Sequence, residues 1–176
     1  MCGSGTFVLE AAEIHEGLNP GRSRSFAFED FASFDTEQWD AMRNAQDASG
    51  TTQFYGYDRD QGAIAMCKQN AERAGVSHLT QFKQQAVNVL EPPCETPGLV
   101  MVNPPYGARI GNKKMLYGLY ASLGERLKAS FSGWRVGMIT TEKGLARATG
   151  LPFVEESAPI PNGGLKIRLY QSKTLR

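Results

Sequence analysis

The run Leu99-Val100-Met101-Val102 passes directly into Asn103-Pro104-Pro105-Tyr106-Gly107, and no other stretch restricts the fold as tightly. Four consecutive apolar residues without polar alternation predict a strand covered on both faces, as in the middle of a parallel sheet. Two prolines in a row then stop the strand: each fixes its own φ and neither offers a backbone N–H. Their carbonyl oxygens are expected to point outward from the stiffened turn. The Asn103 side chain adds an amide oxygen acceptor and Tyr106 a flat ring. Together they suit a planar group with an exocyclic NH2: two acceptors hold its hydrogens while the ring fixes its plane. That geometry favours attack by the nitrogen on an electrophilic carbon. The plainer alternative is a rigid loop that only terminates a strand.

Around this point strands and helices alternate. Phe7 to Ala12 reads as the start of a helix, and Glu16 to Arg24 is broken by Gly17, Asn19, Pro20 and Gly21. Asp35 is placed to cap a helix through Trp39 and Met42, and the aromatics of Phe26 to Trp39 read as local core. Gln53 to Tyr57 predicts a strand ending at Asp58, and Asp60 to Ala74 a helix with Ile64, Cys67, Ala71 and Ala74 on one face and Gly75 at its C-terminal end. Leu79 to Gln84 is a weaker strand. Met115 to Ala129 predicts a helix with Leu116, Leu119, Tyr120, Leu123 and Leu127 on one side. A strand over Trp134–Thr140, a short helix over Glu142–Ala148 and a last strand over Leu165–Gln171 complete the pattern. The expected fold class is α/β, one domain over 1–176, with a mainly parallel sheet and helices on both faces.

In such sheets ligands bind beyond the carboxyl ends of the strands, and two further loops there carry unusual residues. Gly3-Ser4-Gly5-Thr6 precedes a helix; its glycines permit close backbone approach, and helix-start N–H groups can hold an anionic group. Alone, the same residues are equally a plain turn. Asp58 could accept hydrogen bonds from both hydroxyls of a ribose; Asp60 could be the acceptor in its place, or simply cap the following helix. The interval from Gly5 to Asp58 is much longer than the roughly 20 residues of a dinucleotide fingerprint. Simple NAD binding is therefore a poor reading.

Composition removes other classes. The net charge of +1 neither demands nor forbids nucleic acid, and Lys113-Lys114 with Lys166, Arg168, Lys173 and Arg176 are the only basic groupings. No apolar run nears the roughly 20 residues of a membrane helix, so no membrane association is expected. Cys2, Cys67 and Cys94 form neither a disulfide framework nor a CxxC pair, which points to a reducing, cytoplasmic setting. His15 and His78 lack ligand-spaced neighbours, so no metal is expected either.

Asn103-Pro104-Pro105-Tyr106 resembles the amino-methyltransferase signature of class I S-adenosylmethionine enzymes that methylate adenine N6, guanine N2 or glutamine N5. Met1-Cys2-Gly3-Ser4-Gly5-Thr6, followed by Leu9-Glu10-Ala11-Ala12, narrows the resemblance. It is similar to a segment of the THUMP-associated RNA guanine-N2 methyltransferases, the bacterial large-subunit (23S) ribosomal RNA enzymes of the RlmL type in particular. Tyr55-Gly56-Tyr57-Asp58, Asn103 to Arg109, Leu116 to Trp134 and Asn162-Gly163-Gly164-Leu165 share that pattern.

The resemblance implies a Rossmann-like class I fold, S-adenosyl-L-methionine as cofactor, and guanine N2 of 23S ribosomal RNA as acceptor. Gly3, Ser4, Gly5 and Thr6 would line the methionine end of the cofactor, and Asp58 would hold its ribose. Asn103 and the Pro104 carbonyl would orient the target amine, with Pro105 stiffening the loop and Tyr106 stacked on the base. The family often places a carboxylate after its third strand for the adenine; here that stretch is Gln84-Gln85-Ala86-Val87-Asn88, leaving backbone contacts near Ala86 and Val87. The family's first strand, its Asp-Pro pair and its RNA-binding THUMP region would precede Met1, so the chain is expected to be an N-terminally incomplete domain. The alternatives are N6-adenine methylation of DNA, N5-glutamine methylation of protein, and an inactive remnant.

Overall fold

The computed structural model describes residues 1–43, 52–106 and 113–176. Its elements follow the expected alternation: α1 (Thr6–His15), α2 (Thr36–Arg43), β1 (Phe54–Asp58), α3 (Gln61–Ala74), β2 (Thr80–Gln84), β3 (Leu99–Val102), α4 (Lys113–Ser130), β4 (Arg135–Thr140), α5 (Lys143–Ala148), β5 (Phe153–Glu156), β6 (Ile160–Asn162) and β7 (Leu165–Ser172). No helix among the described residues is long and apolar enough to cross a membrane. The chain forms two compact units: Met1–Cys2, Tyr57–Gln61 and Gln84–Arg176 make the first, and Gly3–Gly56 with Gly62–Lys83 the second. Strands β1 and β2 pair as a two-stranded sheet, while a five-stranded sheet runs β3-β4-β7-β5 with β6 also on β7.

In the first unit, β4 carries Val136, Gly137 and Met138 buried in succession, the mark of a strand covered on both faces. β3 lies parallel to it in register Val102↔Met138. The expectation of a mainly parallel sheet fails here. β7 runs antiparallel to β4, β5 and β6. For β6 the reason is local: Asn162 pairs with Leu165 across a two-residue Gly163-Gly164 turn with positive φ at both positions, and such a turn can only return the chain antiparallel.

α4 covers this sheet's core through Leu116, Tyr120, Leu123, Gly124 and Leu127, which are buried together with Val102, Val136, Met138, Leu145, Ala146 and Tyr170. The expected stripe is present except that Leu119 is only half-buried and Gly124 joins it. Gly124 lets α4 approach α5 closely, because a Cβ built there would lie 1.8 Å from the Thr149 carbonyl oxygen.

In the second unit, Leu9 and Ala12 of α1 meet Ala71 of α3, with Val76, Leu79, Phe54 and Phe82 around them. Both expected helix boundaries hold. Asp35 Oδ1 accepts the Gln38 N–H at 3.0 Å, capping α2. α3 ends in a turn at Gly75, where the Val76 N–H reaches back to the Ala71 carbonyl at 3.0 Å. The rings of Phe26, Phe28 and Trp39 pack on one another, with Phe28 and Trp39 centroids 4.8 Å apart. The Arg24 guanidinium lies 4.1 Å above Phe26. The segment is a local aromatic cluster but not the expected core, since none of its rings is buried and Phe28 and Phe31 are exposed.

Overpacking at position 124 should be costly. Gly124→Ala is expected to lower stability by about 3 kcal/mol, since the neighbour it strikes is backbone. Gly118→Ala, on the same helix with nothing within 4 Å of its Cβ position, should be neutral or gain up to about 1 kcal/mol. Thermal unfolding of the two variants checks this; similar midpoints for both would contradict the helix packing described.

Candidate active site

The strand β3 ends at Val102 and delivers Asn103 into solvent, where its amide is exposed. Pro104, next in line, is almost wholly buried, and Pro105 and Tyr106 are half-buried. Tyr106 packs against the same core cluster as Val87 and Met1. Gly107 and the Ala108-Arg109 continuation of the motif lie outside the described residues.

The expectation that both proline carbonyls face outward needs correction. The Pro105 carbonyl is turned inward and lies 3.3 Å from the Tyr120 hydroxyl on α4. That hydroxyl is also 3.2 Å from Thr140 Oγ1 at the end of β4, and Tyr120 and Thr140 are both fully buried. A carbonyl can only accept, so the phenol donates its single proton to Pro105. Thr140 then donates to the phenol oxygen and accepts the Glu142 N–H at 3.5 Å. Burial pushes the Tyr120 phenol up to about 12, opposed by the Thr140 hydrogen bond and assisted by Tyr106 and Glu142.

Asp58 closes β1. Its Oδ1 accepts the Asp60 N–H at 3.0 Å, and Oδ2 lies 3.7 Å from the N-terminal ammonium. Asp60 therefore sits in a turn built on Asp58, immediately before α3 begins at Gln61. The Asp58 carbonyl accepts the Gln85 N–H at 2.7 Å, which ties the end of β1 to the segment after β2. There the chain makes a tight turn: Val89 N–H donates to the Ala86 carbonyl at 3.3 Å and Leu90 N–H to the Val87 carbonyl at 3.2 Å. Gln85 uses its side-chain amide on the Val89 carbonyl. So the first unit gathers Asp58, Ala86 and Val87 around one set of backbone bonds.

The glycine loop belongs to the second unit. Gly3 and Gly5 stand at φ 56° and 90°, a region that side chains rarely adopt. At Gly5 a Cβ would also press on Cys67 Sγ at 3.2 Å, whereas Gly3 has open space above it. The loop is fastened from α3: the Cys67 thiol donates to the Gly3 carbonyl at 3.1 Å, and the Asn70 amide to the Ser4 carbonyl at 2.8 Å. With these carbonyls engaged, the exposed Ser4 and Thr6 hydroxyls, 3.4 Å apart, are polar groups that the loop turns to solvent. Among the described residues no group of three His, Cys, Asp or Glu side chains is placed to hold a metal ion.

Sequence reading missed three of these participants. Cys67 and Tyr120 were expected only as members of apolar helix faces, and Asn70 carried no signal. A buried tyrosine on such a face is the one usable clue, because its hydroxyl must find a partner.

Comparison with known proteins places the arrangement in a class. Over its whole length the chain resembles SMU.472, a candidate methyltransferase crystallised with SAH, with a TM-score of 0.89 at 29% identity and coverage of 47% of that chain. A protein of Listeria monocytogenes, predicted to be an N6-adenine-specific DNA methylase, gives a TM-score of 0.82 at 30% identity, with 99% of this chain and 45% of that one covered. The chain thus has the fold of a class I S-adenosylmethionine-dependent methyltransferase domain. It belongs to the RMKL-like methyltransferase domain family, which it matches over residues 1–170. Its relatives include the ribosomal RNA large subunit methyltransferase K/L of Chromohalobacter salexigens, 37% identical across 96% of this chain, and that of Shewanella baltica, 36% identical across 94%. The chain spans 24% of the length of either relative.

The buried phenol makes a pH dependence. Below about 10, the ordinary value for a tyrosine, Tyr120 is neutral in both folded and unfolded chains and its contribution is intact. As pH rises from about 10 to about 12 the unfolded chain ionises first, and stability falls by about 2 kcal/mol. Urea unfolding across that range should show the loss in the parent chain and a smaller one in Tyr120→Phe; parallel curves would refute the placement of the phenol.

Proposed function

We propose that this chain, acting as one methyltransferase domain in the cytoplasm, transfers a methyl group from S-adenosyl-L-methionine to the exocyclic N2 of guanine in 23S ribosomal RNA. The observation that carries the reading is the end of β3, where an exposed Asn103 follows the buried Val102 and precedes a proline pair anchored from within. The large-subunit ribosomal RNA names of the relatives support the substrate class.

The residues present fit the cofactor. Gly3 offers backbone with no side chain above it, in a conformation other residues avoid, so a ligand can come against the main chain there. Gly3, Ser4, Gly5 and Thr6 would face its methionine end. Asp58, the carboxylate that closes β1, would take the ribose hydroxyls. Backbone groups at Ala86 and Val87 would meet the adenine in place of a carboxylate. When bound, S-adenosylmethionine supplies an electrophilic methyl group on a sulfonium sulfur.

The chain's own part is orientation and charge. The Asn103 side-chain oxygen and the Pro104 carbonyl accept the two hydrogens of the target amine, and the Tyr106 ring stacks on the base. Holding both hydrogens leaves the nitrogen lone pair directed at the methyl carbon. The same two acceptors stabilise the positive charge that grows on nitrogen as the bond forms. The proton can leave to water after transfer, so no side chain need act as a base.

A labelled-methyl assay offering ribosomal RNA, duplex DNA and a glutamine-bearing protein tests the assignment. Label is expected in ribosomal RNA at guanine N2; label in adenine of DNA instead would favour the activity named for the Listeria relative, and no label anywhere would leave an inactive domain. Asn103→Ala should reduce transfer by roughly 100-fold or more, through loss of an acceptor used in the transition state. Asp58→Ala should chiefly weaken S-adenosylhomocysteine binding, by roughly tenfold or more in calorimetry.

A further inference from the structure

The prolines that define the acceptor loop raise a question of attachment. Residues 104 and 105 have no N–H, so their stretch of backbone can be tied only by bonds donated to its carbonyls. One of these bonds comes from Tyr120, which is fully buried in the middle of α4 and hydrogen-bonded in turn to the fully buried Thr140. Filling this volume did not require hydroxyls. Phenylalanine and valine would pack the same space without two polar groups to desolvate, and a hydroxyl left unpaired in a core is destabilising. Both hydroxyls are satisfied here by a single directed series running from the Glu142 N–H through Thr140 and Tyr120 to the Pro105 carbonyl.

We propose that Tyr120, oriented by Thr140, is a positioning residue of the methyl-acceptor site: its hydroxyl pins the Pro105 carbonyl inward and thereby fixes the Pro104 carbonyl for the target amine. The proposal rests on the acceptor role assigned above to Asn103 and Pro104. The buried ring of Pro104 holds one side of that peptide, and the tethered Pro105 carbonyl holds the other. The peptide between them carries the acceptor, so it has little freedom to swing. Without the phenol hydroxyl the Pro105 carbonyl loses this donor, and the loop gains a second orientation in which that carbonyl seeks water. Acceptor placement matters steeply, as a displacement of about 1 Å can cost on the order of 100-fold in rate.

Three variants of the whole chain separate positioning from simple stabilisation. Tyr120→Phe and Thr140→Val should each lower kcat for methyl transfer by roughly tenfold to 100-fold, with S-adenosylhomocysteine affinity within about twofold of the parent. Thr140→Ser, which keeps the hydroxyl, should restore kcat even if its melting temperature falls. Unchanged kcat in Tyr120→Phe, or a loss in Thr140→Ser equal to that in Thr140→Val, overturns the proposal.

If the parent chain methylates none of the offered acceptors, the proposed function fails, and the positioning claim is then read without turnover. Nuclear magnetic resonance of the Pro105 carbonyl carbon and the Asn103 side-chain amide should show the carbonyl shifted upfield in Tyr120→Phe, with the Asn103 amide broadened or doubled. Both signals unchanged would overturn the positioning role on its own.

Discussion

A pair of prolines cannot donate a hydrogen bond, and the arrangement of the first unit follows from how that deficit is met. The loop after β3 is held by what other elements give it: the Tyr120 hydroxyl from α4, and beneath it the Thr140 hydroxyl from β4. For those donors to arrive, α4 must sit close over the sheet, and its approach to α5 is possible because position 124 has no side chain. β4 in turn is buried on both faces and flanked by β3 and β7, so Thr140 has a fixed place. Packing comes first, then the hydroxyl pair, then the loop. Chemistry at Asn103 inherits the accuracy of each preceding contact.

Much of this was legible in the sequence, for identifiable reasons. The bounds of Leu99–Val102 were readable to the residue because prolines cut the apolar run, but the expected cover on both faces fails: β3 ends the order β3-β4-β7-β5, Leu99 is exposed and only Val102 is buried. α3 and α4 were readable from spacing, with the ends shifted by two residues at most. β5 and β6 were missed: Phe153-Val154-Glu155-Glu156 and Ile160-Pro161-Asn162 lack alternation and include acidic residues and a proline. Their strand character comes from pairing with β7, a tertiary cause that no local pattern carries. The same omission produced the wrong expectation of a mainly parallel sheet.

The site divides in the same way. Asn103-Pro104-Pro105-Tyr106 and Gly3-Ser4-Gly5 announce themselves because backbone chemistry dictates their residue types. Their fastenings do not. Cys67 and Asn70 lie more than sixty residues from the carbonyls they hold, and Tyr120 lies fifteen from Pro105. A donor on a helix face is silent in sequence until its acceptor is known. Each of the two loops is thus a conspicuous motif secured by inconspicuous residues from a neighbouring helix.

The inward tether of Pro105 also bears on how the domain fluctuates. Surface loops usually open by local excursions that leave the rest of a protein intact. Here the fastening point lies in the core that α4 shares with β4, where Tyr120 and Thr140 have no exposure. Releasing that carbonyl means admitting water to two buried hydroxyls, a process close in character to separating α4 from the sheet. The acceptor loop therefore belongs to the cooperative unit of the core. Its ordering should be lost in the same transition as the fold, so that site and core share one stability.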